Sequence, residues 1–144
     1  MFTCSKIYRD IPFAHRQFRH EGRCAFLHGH NWAIEIEFGC RQLDERGFVV
    51  VFGGLGFLKQ WIDQNLDHAC LFAKADPERE ALLRDYGRLF KPLIIDSVST
   101  EGIAKFLFET FDPMVRREFG DRAWIRQLIL HEDTKNTARY QPDA

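Results

Sequence analysis

The chain has 144 residues, 45% of them hydrophobic and 28% charged, and a formal net charge of −1. That length suits one domain with a real core, and the near-zero charge gives no electrostatic reason to expect nucleic acid or an anionic membrane as the main partner. No apolar run approaches the roughly 20 residues of a bilayer span, and Met1-Phe2-Thr3-Cys4-Ser5-Lys6 lacks the pattern of a secretory signal, so a cytoplasmic protein is expected. Cys4, Cys24, Cys40 and Cys70 show no CxxC spacing, which favours free thiols in a reducing compartment over a disulfide framework.

Residues 2 to 17 read as a first strand, broken or bulged near Pro12 because proline cannot donate to a ladder. The polar, basic stretch Arg16 to Arg23 is a loop leading to Cys24, and a second strand covers about 28 to 39. Asp44-Glu45-Arg46-Gly47 marks a turn before the apolar run Phe48 to Phe52, and Gly53-Gly54 opens a helix whose stripe is Leu55, Leu58, Trp61 or Ile62, and Leu66. Leu66 to Cys70 reads as its exit. Asp76-Pro77-Glu78 has the form of an N-cap followed by N1 and N2, giving a surface helix over 77–86 ended by Gly87. Lys91 to Val98 is extended. Ser99 then caps a helix with Glu101 in its first turn and Ile103, Ala104, Leu107 and Phe111 on its buried face; Asp112-Pro113 restarts or kinks it. Trp124 to Glu132 is a third long strand, with Trp124, Leu128, Leu130 and Glu132 on one face, and Lys135-Asn136 turns into a last strand through Tyr140. Two strands, helices and two strands make a two-layer α+β domain on an antiparallel four-stranded sheet, whose open edges favour a homo-oligomer.

Within the second strand the even positions from 28 read His, His, Trp, Ile, Ile, Phe, and the odd ones Gly, Asn, Ala, Glu, Glu. This period of two puts His28 and His30 on one face at the mouth of an apolar surface, able to converge on one ion. Gly29 between them leaves room for close approach. Ile11, Phe13 and His15 alternate in the same way, so two neighbouring antiparallel strands bring three imidazoles together. Three protein ligands with a fourth position open is the pattern of a catalytic zinc.

Three further features stand apart from the core pattern. Cys24, in a basic loop four residues before His28, is either a thiolate base or nucleophile or a buried structural thiol. Asp67-His68 at a helix end is either a proton-transfer pair or a cap. Glu132 ends an otherwise apolar strand face, where a carboxylate needs a partner such as an arginine or an NH-rich ligand.

Together, Phe13-Ala14-His15, Cys24-x3-His28-Gly29-His30-Asn31, Val50 to Leu55, Leu66-Asp67-His68, Ser99-Thr100-Glu101 and Glu132-Asp133-Thr134 resemble the 6-pyruvoyltetrahydropterin synthase family, nearest its 6-carboxytetrahydropterin synthase branch in the queuosine pathway. The resemblance covers almost the whole chain as one domain, 1–144, and implies the tunnelling fold, in which sheets from several subunits close into a barrel with active sites between subunits. A hexamer or another trimer-based assembly is expected. Residue by residue it implies zinc on His15, His28 and His30, Cys24 as base, and Asp67 with His68 as the proton-transfer pair. It also implies Glu132 on the amino and ring NH groups of a pterin, with Ser99, Thr100 and Glu101 in the supporting wall. The implied substrate is dihydroneopterin triphosphate. The three-residue gap between Cys24 and His28 resembles the carboxy branch; the pyruvoyl synthase, or a pterin- or purine-binding protein without turnover, is the alternative. Two positions depart from the family pattern, which commonly has acids where this chain has Val51 and Gly54. Arg16, Arg19, Arg23 and Lys105 are the candidate cations for triphosphate.

Overall fold

The computed structural model describes residues 1–143 as a single six-stranded sheet with helices packed on it. In chain order the elements are β1 (Phe2–His15), β2 (His28–Cys40), α1 (Gly56–Asn65), β3 (Cys70–Ala73), α2 (Arg79–Tyr86), β4 (Pro92–Ile95), α3 (Thr100–Phe119), β5 (Ala123–His131) and β6 (Thr137–Tyr140). The sheet order is β4-β3-β1-β2-β5-β6. The expected four antiparallel strands are β1, β2, β5 and β6. Two short strands extend them in parallel: β3 meets β1 at Ala14, and β4 runs beside β3. All four residues of β3 are buried, so it shows no alternation and its sequence merges with the preceding helix exit.

The period-two pattern of β2 is realised as read. Trp32, Ile34, Ile36 and Phe38 are fully buried beneath the stripes of α1 (Leu58, Ile62) and α3 (Ile103, Ala104, Leu107, Phe111, Val115). The run after the Asp44–Gly47 turn does not join the sheet; it buries Val49 and Val50 and leaves Phe48 and Phe52 exposed. A short 3-10 turn, Phe52–Gly54, precedes α1.

Four expectations are displaced. The β1 irregularity lies between Tyr8 and Ile11, with Asp10 at φ +59°, and Pro12 sits in register opposite Asn31. Ala14 donates its N–H to the Ala69 carbonyl on the side away from β2. Pro12, two residues earlier, has its nitrogen on that same side, so its missing donor costs β2 nothing. In β5 the register shifts opposite Glu37 and Phe38, so Gln127 pairs with Glu37 but Ile125 with Phe38. This bulge puts Ile125 in the core and takes Trp124 off the face of Leu128 and Leu130. α2 begins at Arg79 rather than Pro77, because Asp76 closes a turn of its own: its carboxylate accepts from the Glu78 amide. α3 runs unbroken through Pro113. Phe111 and Val115, both fully buried, hold the helix to the sheet on either side of it.

The remaining edge of β1, from Phe2 to Tyr8, has no neighbouring strand among the described residues. No helix among them is long and apolar enough to cross a membrane.

Candidate active site

Register explains how three distant histidines meet. His15 lies directly across from His28 in the β1–β2 ladder, and His30 pairs with Phe13, one diagonal step away on the same face. Their ring centroids are 4.8, 4.9 and 5.4 Å apart, and one ring nitrogen from each falls within 4.8 Å of the others. Beneath them the Trp32 indole stacks on Phe13 at 4.3 Å and donates its N–H to the Phe13 carbonyl at 3.0 Å. Its edge supports His15 and His30, at 5.0 and 5.1 Å.

Backbone carbonyls fix the tautomers. Nδ1–H of His15 donates to the Val98 carbonyl at 2.7 Å, and Nδ1–H of His28 donates to the Phe26 carbonyl at 2.6 Å, which leaves Nε2 of each as a lone pair. Burial pushes the His15 pKa down, against the Val98 carbonyl, and the neighbouring His28 and His30 push it down further. The Nε2 atoms of His15 and His30 are buried with no hydrogen-bond partner. Buried ring nitrogens left unpartnered in this way are costly unless a cation takes them. The residues present therefore fit a divalent metal held by imidazole.

Glu132 stands just past the end of β5. Its Oε1 is 3.5 Å from His30 Nε2 and 3.7 Å from His15 Nε2, and it accepts from Thr100 Oγ1 at 3.2 Å. Ser99 caps α3 by accepting from the Gly102 amide. His15, His28 and Glu132 line a cavity of about 410 Å³ together with Cys24, Ser99, Thr100 and Glu101; Gln17, Arg19 and His20 complete its wall. Cys24 is an exposed free thiol on the short Arg23–Ala25 turn. On the far side of Glu132, a second cavity of about 560 Å³ includes His30, Asn31 and His131.

The structure thus brings together His15, His28, His30, Cys24, Ser99, Thr100, Glu101 and Glu132, which are spread over more than a hundred residues of sequence. Asp67 and His68 line neither cavity. They do touch: His68 Nδ1 is 2.6 Å from Asp67 Oδ1 at the exposed end of α1, with His68 at φ +62°. Of the candidate cations only Arg19 reaches the cavity wall; Lys105 faces Glu109, and Arg16 is committed elsewhere. Val51 precedes the 3-10 turn before α1 and Gly54 ends it, also away from the cavity, and a Cβ added at Gly54 would meet only ordinary contacts with Val51 and Phe119. Sequence reasoning missed the Thr100–Glu132 bond and the pairing of Arg16 with Asp76, whose Asp-Pro signature reads locally as a helix cap.

A family model described as "6-pyruvoyl tetrahydropterin synthase" matches residues 5–143. The chain belongs to that family. Among curated relatives, a 6-carboxy-5,6,7,8-tetrahydropterin synthase of Rickettsia conorii is 40% identical over 76 residues, which is 51% of this chain and 55% of that protein. The match therefore spans about half the length of that relative. Among solved structures, an uncharacterized protein from Wolinella succinogenes superposes with a TM-score of 0.85 at 21% identity over 99% of this chain and 98% of its own. The Caenorhabditis elegans 6-pyruvoyl tetrahydropterin synthase gives 0.67 at 18% identity over 99% and 96%. These likenesses establish the tunnelling fold implied by the motifs.

Proposed function

We propose that this chain is a zinc-dependent 6-carboxytetrahydropterin synthase that converts 7,8-dihydroneopterin triphosphate and water to 6-carboxytetrahydropterin, triphosphate and acetaldehyde, a reaction of queuosine precursor synthesis. One observation carries the reading: two buried, unpartnered imidazole nitrogens, of His15 and His30, converge with His28 beside Glu132, and His15, His28 and Glu132 line a cavity of small-molecule size together with the free thiol of Cys24. The curated relative's name supports the carboxy branch.

In this reading His15, His28 and His30 hold zinc through ring nitrogens. The bound metal supplies Lewis acidity that makes the substrate's side-chain hydroxyls and the adjacent C–H more acidic. Cys24, as thiolate, takes the carbon-bound proton, triphosphate leaves by elimination, and a water molecule then adds to the side-chain carbonyl next to the ring, supplying the second carboxylate oxygen as the carbon–carbon bond breaks and acetaldehyde departs. Glu132 accepts from the pterin amino and ring N–H groups, with its free reach limited by Thr100. Asp67 and His68, whose side chains touch at 2.6 Å, form the proton-transfer pair, which in an assembly with active sites between subunits acts in a neighbouring subunit's cavity. The unpaired edge of β1 supports such an assembly, a hexamer or another trimer-based ring in the cytoplasm.

The test is to incubate zinc-loaded protein with dihydroneopterin triphosphate and follow pterins and acetaldehyde by mass spectrometry, with Cys24→Ala as control. Acetaldehyde and 6-carboxytetrahydropterin, absent with the variant, are expected. A pyruvoyl product would move the chain to the 6-pyruvoyltetrahydropterin synthase reaction. Absence of any turnover with zinc bound would make it a pterin- or purine-binding protein.

A further inference from the structure

Arg16 follows the His15 ligand position directly, yet its guanidinium faces away from the histidines and spends all three nitrogens on protein. Nε and Nη2 grip the two carboxylate oxygens of Asp76 at 2.7 and 3.0 Å, and Nη1 donates to the Ala25 carbonyl at 3.0 Å. Asp76 is 5% exposed, and it lies sixty residues away on the turn between β3 and α2. A carboxylate so buried is costly alone and is tolerated because a two-pronged guanidinium and the Glu78 amide satisfy it. The Ala25 carbonyl belongs to the residue after Cys24. On its other side, Cys24 accepts the Gln17 amide at 2.7 Å, and the Gln17 side chain donates to the same Val98 carbonyl that orients His15. The thiol's turn is thus pinned at two points, both originating in the residues just after His15.

From this geometry we infer that Asp76 is a positioning residue for Cys24: by holding Arg16 it fixes the Arg23–Ala25 turn and so the place of the thiol over the cavity. The inference deepens the reading of Cys24 as the base and rests on it. It gives the β3–α2 excursion a function in the site, although none of its residues lines the cavity. Arg16 is correspondingly unavailable as a triphosphate contact.

The test compares wild type and Asp76→Asn, full-length and zinc-supplemented, by amide hydrogen exchange and by steady-state kinetics on dihydroneopterin triphosphate. Loss of a charge-assisted clamp predicts roughly 10- to 100-fold faster exchange in segment 17–26, unchanged exchange in β2 and α3, full zinc content, and a fall in kcat at constant KM. Unchanged exchange in segment 17–26, acceleration spread equally over β2 and α3, or locally faster exchange with kcat intact would each overturn the inference. If Asp76→Asn does not fold, Arg16→Lys decides, because it keeps a cation beside Asp76 while removing the Ala25 contact; the same pattern is expected. Wild-type protein without turnover would remove the lyase reading, and the exchange arm would still show whether Asp76 controls the Cys24 turn.

Discussion

Replacing Trp32 by phenylalanine tests whether the three-histidine cluster stands on the core or merely beside it. Trp32 is fully buried, stacks on Phe13 at 4.3 Å, donates one hydrogen bond to the Phe13 carbonyl, and lies edge-on to two of the three histidines. Losing the hydrogen bond costs about 1 kcal/mol. The smaller ring gives up part of the apolar burial and leaves a void under His15 and His30, adding about 1–3 kcal/mol on the scale of large-to-small core changes. The expected loss is therefore about 2–4 kcal/mol. It is measured by urea titration of chelator-treated protein followed by far-UV circular dichroism, so that metal binding does not contribute. Zinc affinity, read by competition with a chromophoric chelator, should weaken about 10-fold, the usual effect of disturbing a group that orients metal ligands. A destabilisation under about 1 kcal/mol at unchanged m, with zinc affinity intact, would refute the idea that the indole supports the histidines.

His30→Ala should abolish stoichiometric zinc, measured by elemental mass spectrometry after dialysis, while the fold survives, since the side chain is partly exposed and outside the apolar core. Burial would raise the Asp76 carboxyl pKa, but the Arg16 guanidinium and the Glu78 amide outweigh it and hold the group below its ordinary range. Its contribution to stability is therefore complete above the unfolded value of about 3.9 and is lost as pH falls through the lower folded value. Urea titrations from pH 7 to pH 3 should show that loss in wild type and lack this component in Asp76→Asn. Burial pushes the Cys70 thiol up to about 11, so native protein at pH 8 should alkylate at Cys24 and spare Cys70; peptide mapping after iodoacetamide reads both, and labelling of Cys70 at the rate of Cys24 would contradict the buried placement of β3.

What the sequence discloses here depends on the range of the signal. The alternation of β2 is local, so the shared face of His28 and His30 and the core beneath it are legible from ten residues. The stripe and Ser99 cap of α3 are equally local, and they place Thr100 near Glu132 once the strands are paired. The four-residue strands β3 and β4 carry no period: β3 is buried throughout and resembles the end of a helix stripe. The β5 bulge and the Asp10 turn shift faces by one residue, a change that composition does not encode. The Arg16–Asp76 pair joins groups sixty positions apart, and each looks locally like something else, a loop cation and a helix cap. The motif set points to the family, while the placement of Asp67 and His68 outside the cavity of their own chain is a matter of tertiary packing that no local pattern encodes.

Two of the three histidines are aimed by main-chain carbonyls, those of Val98 and Phe26. A carbonyl is present whatever side chain its residue bears, so this aim is immune to point substitution at positions 98 and 26 in a way that a carboxylate partner would not be. Mutational drift can therefore rework the strands and loops around the centre while the direction of its donors persists. Only a change in backbone path, such as a deletion in the stretch between Phe26 and His28, would turn them.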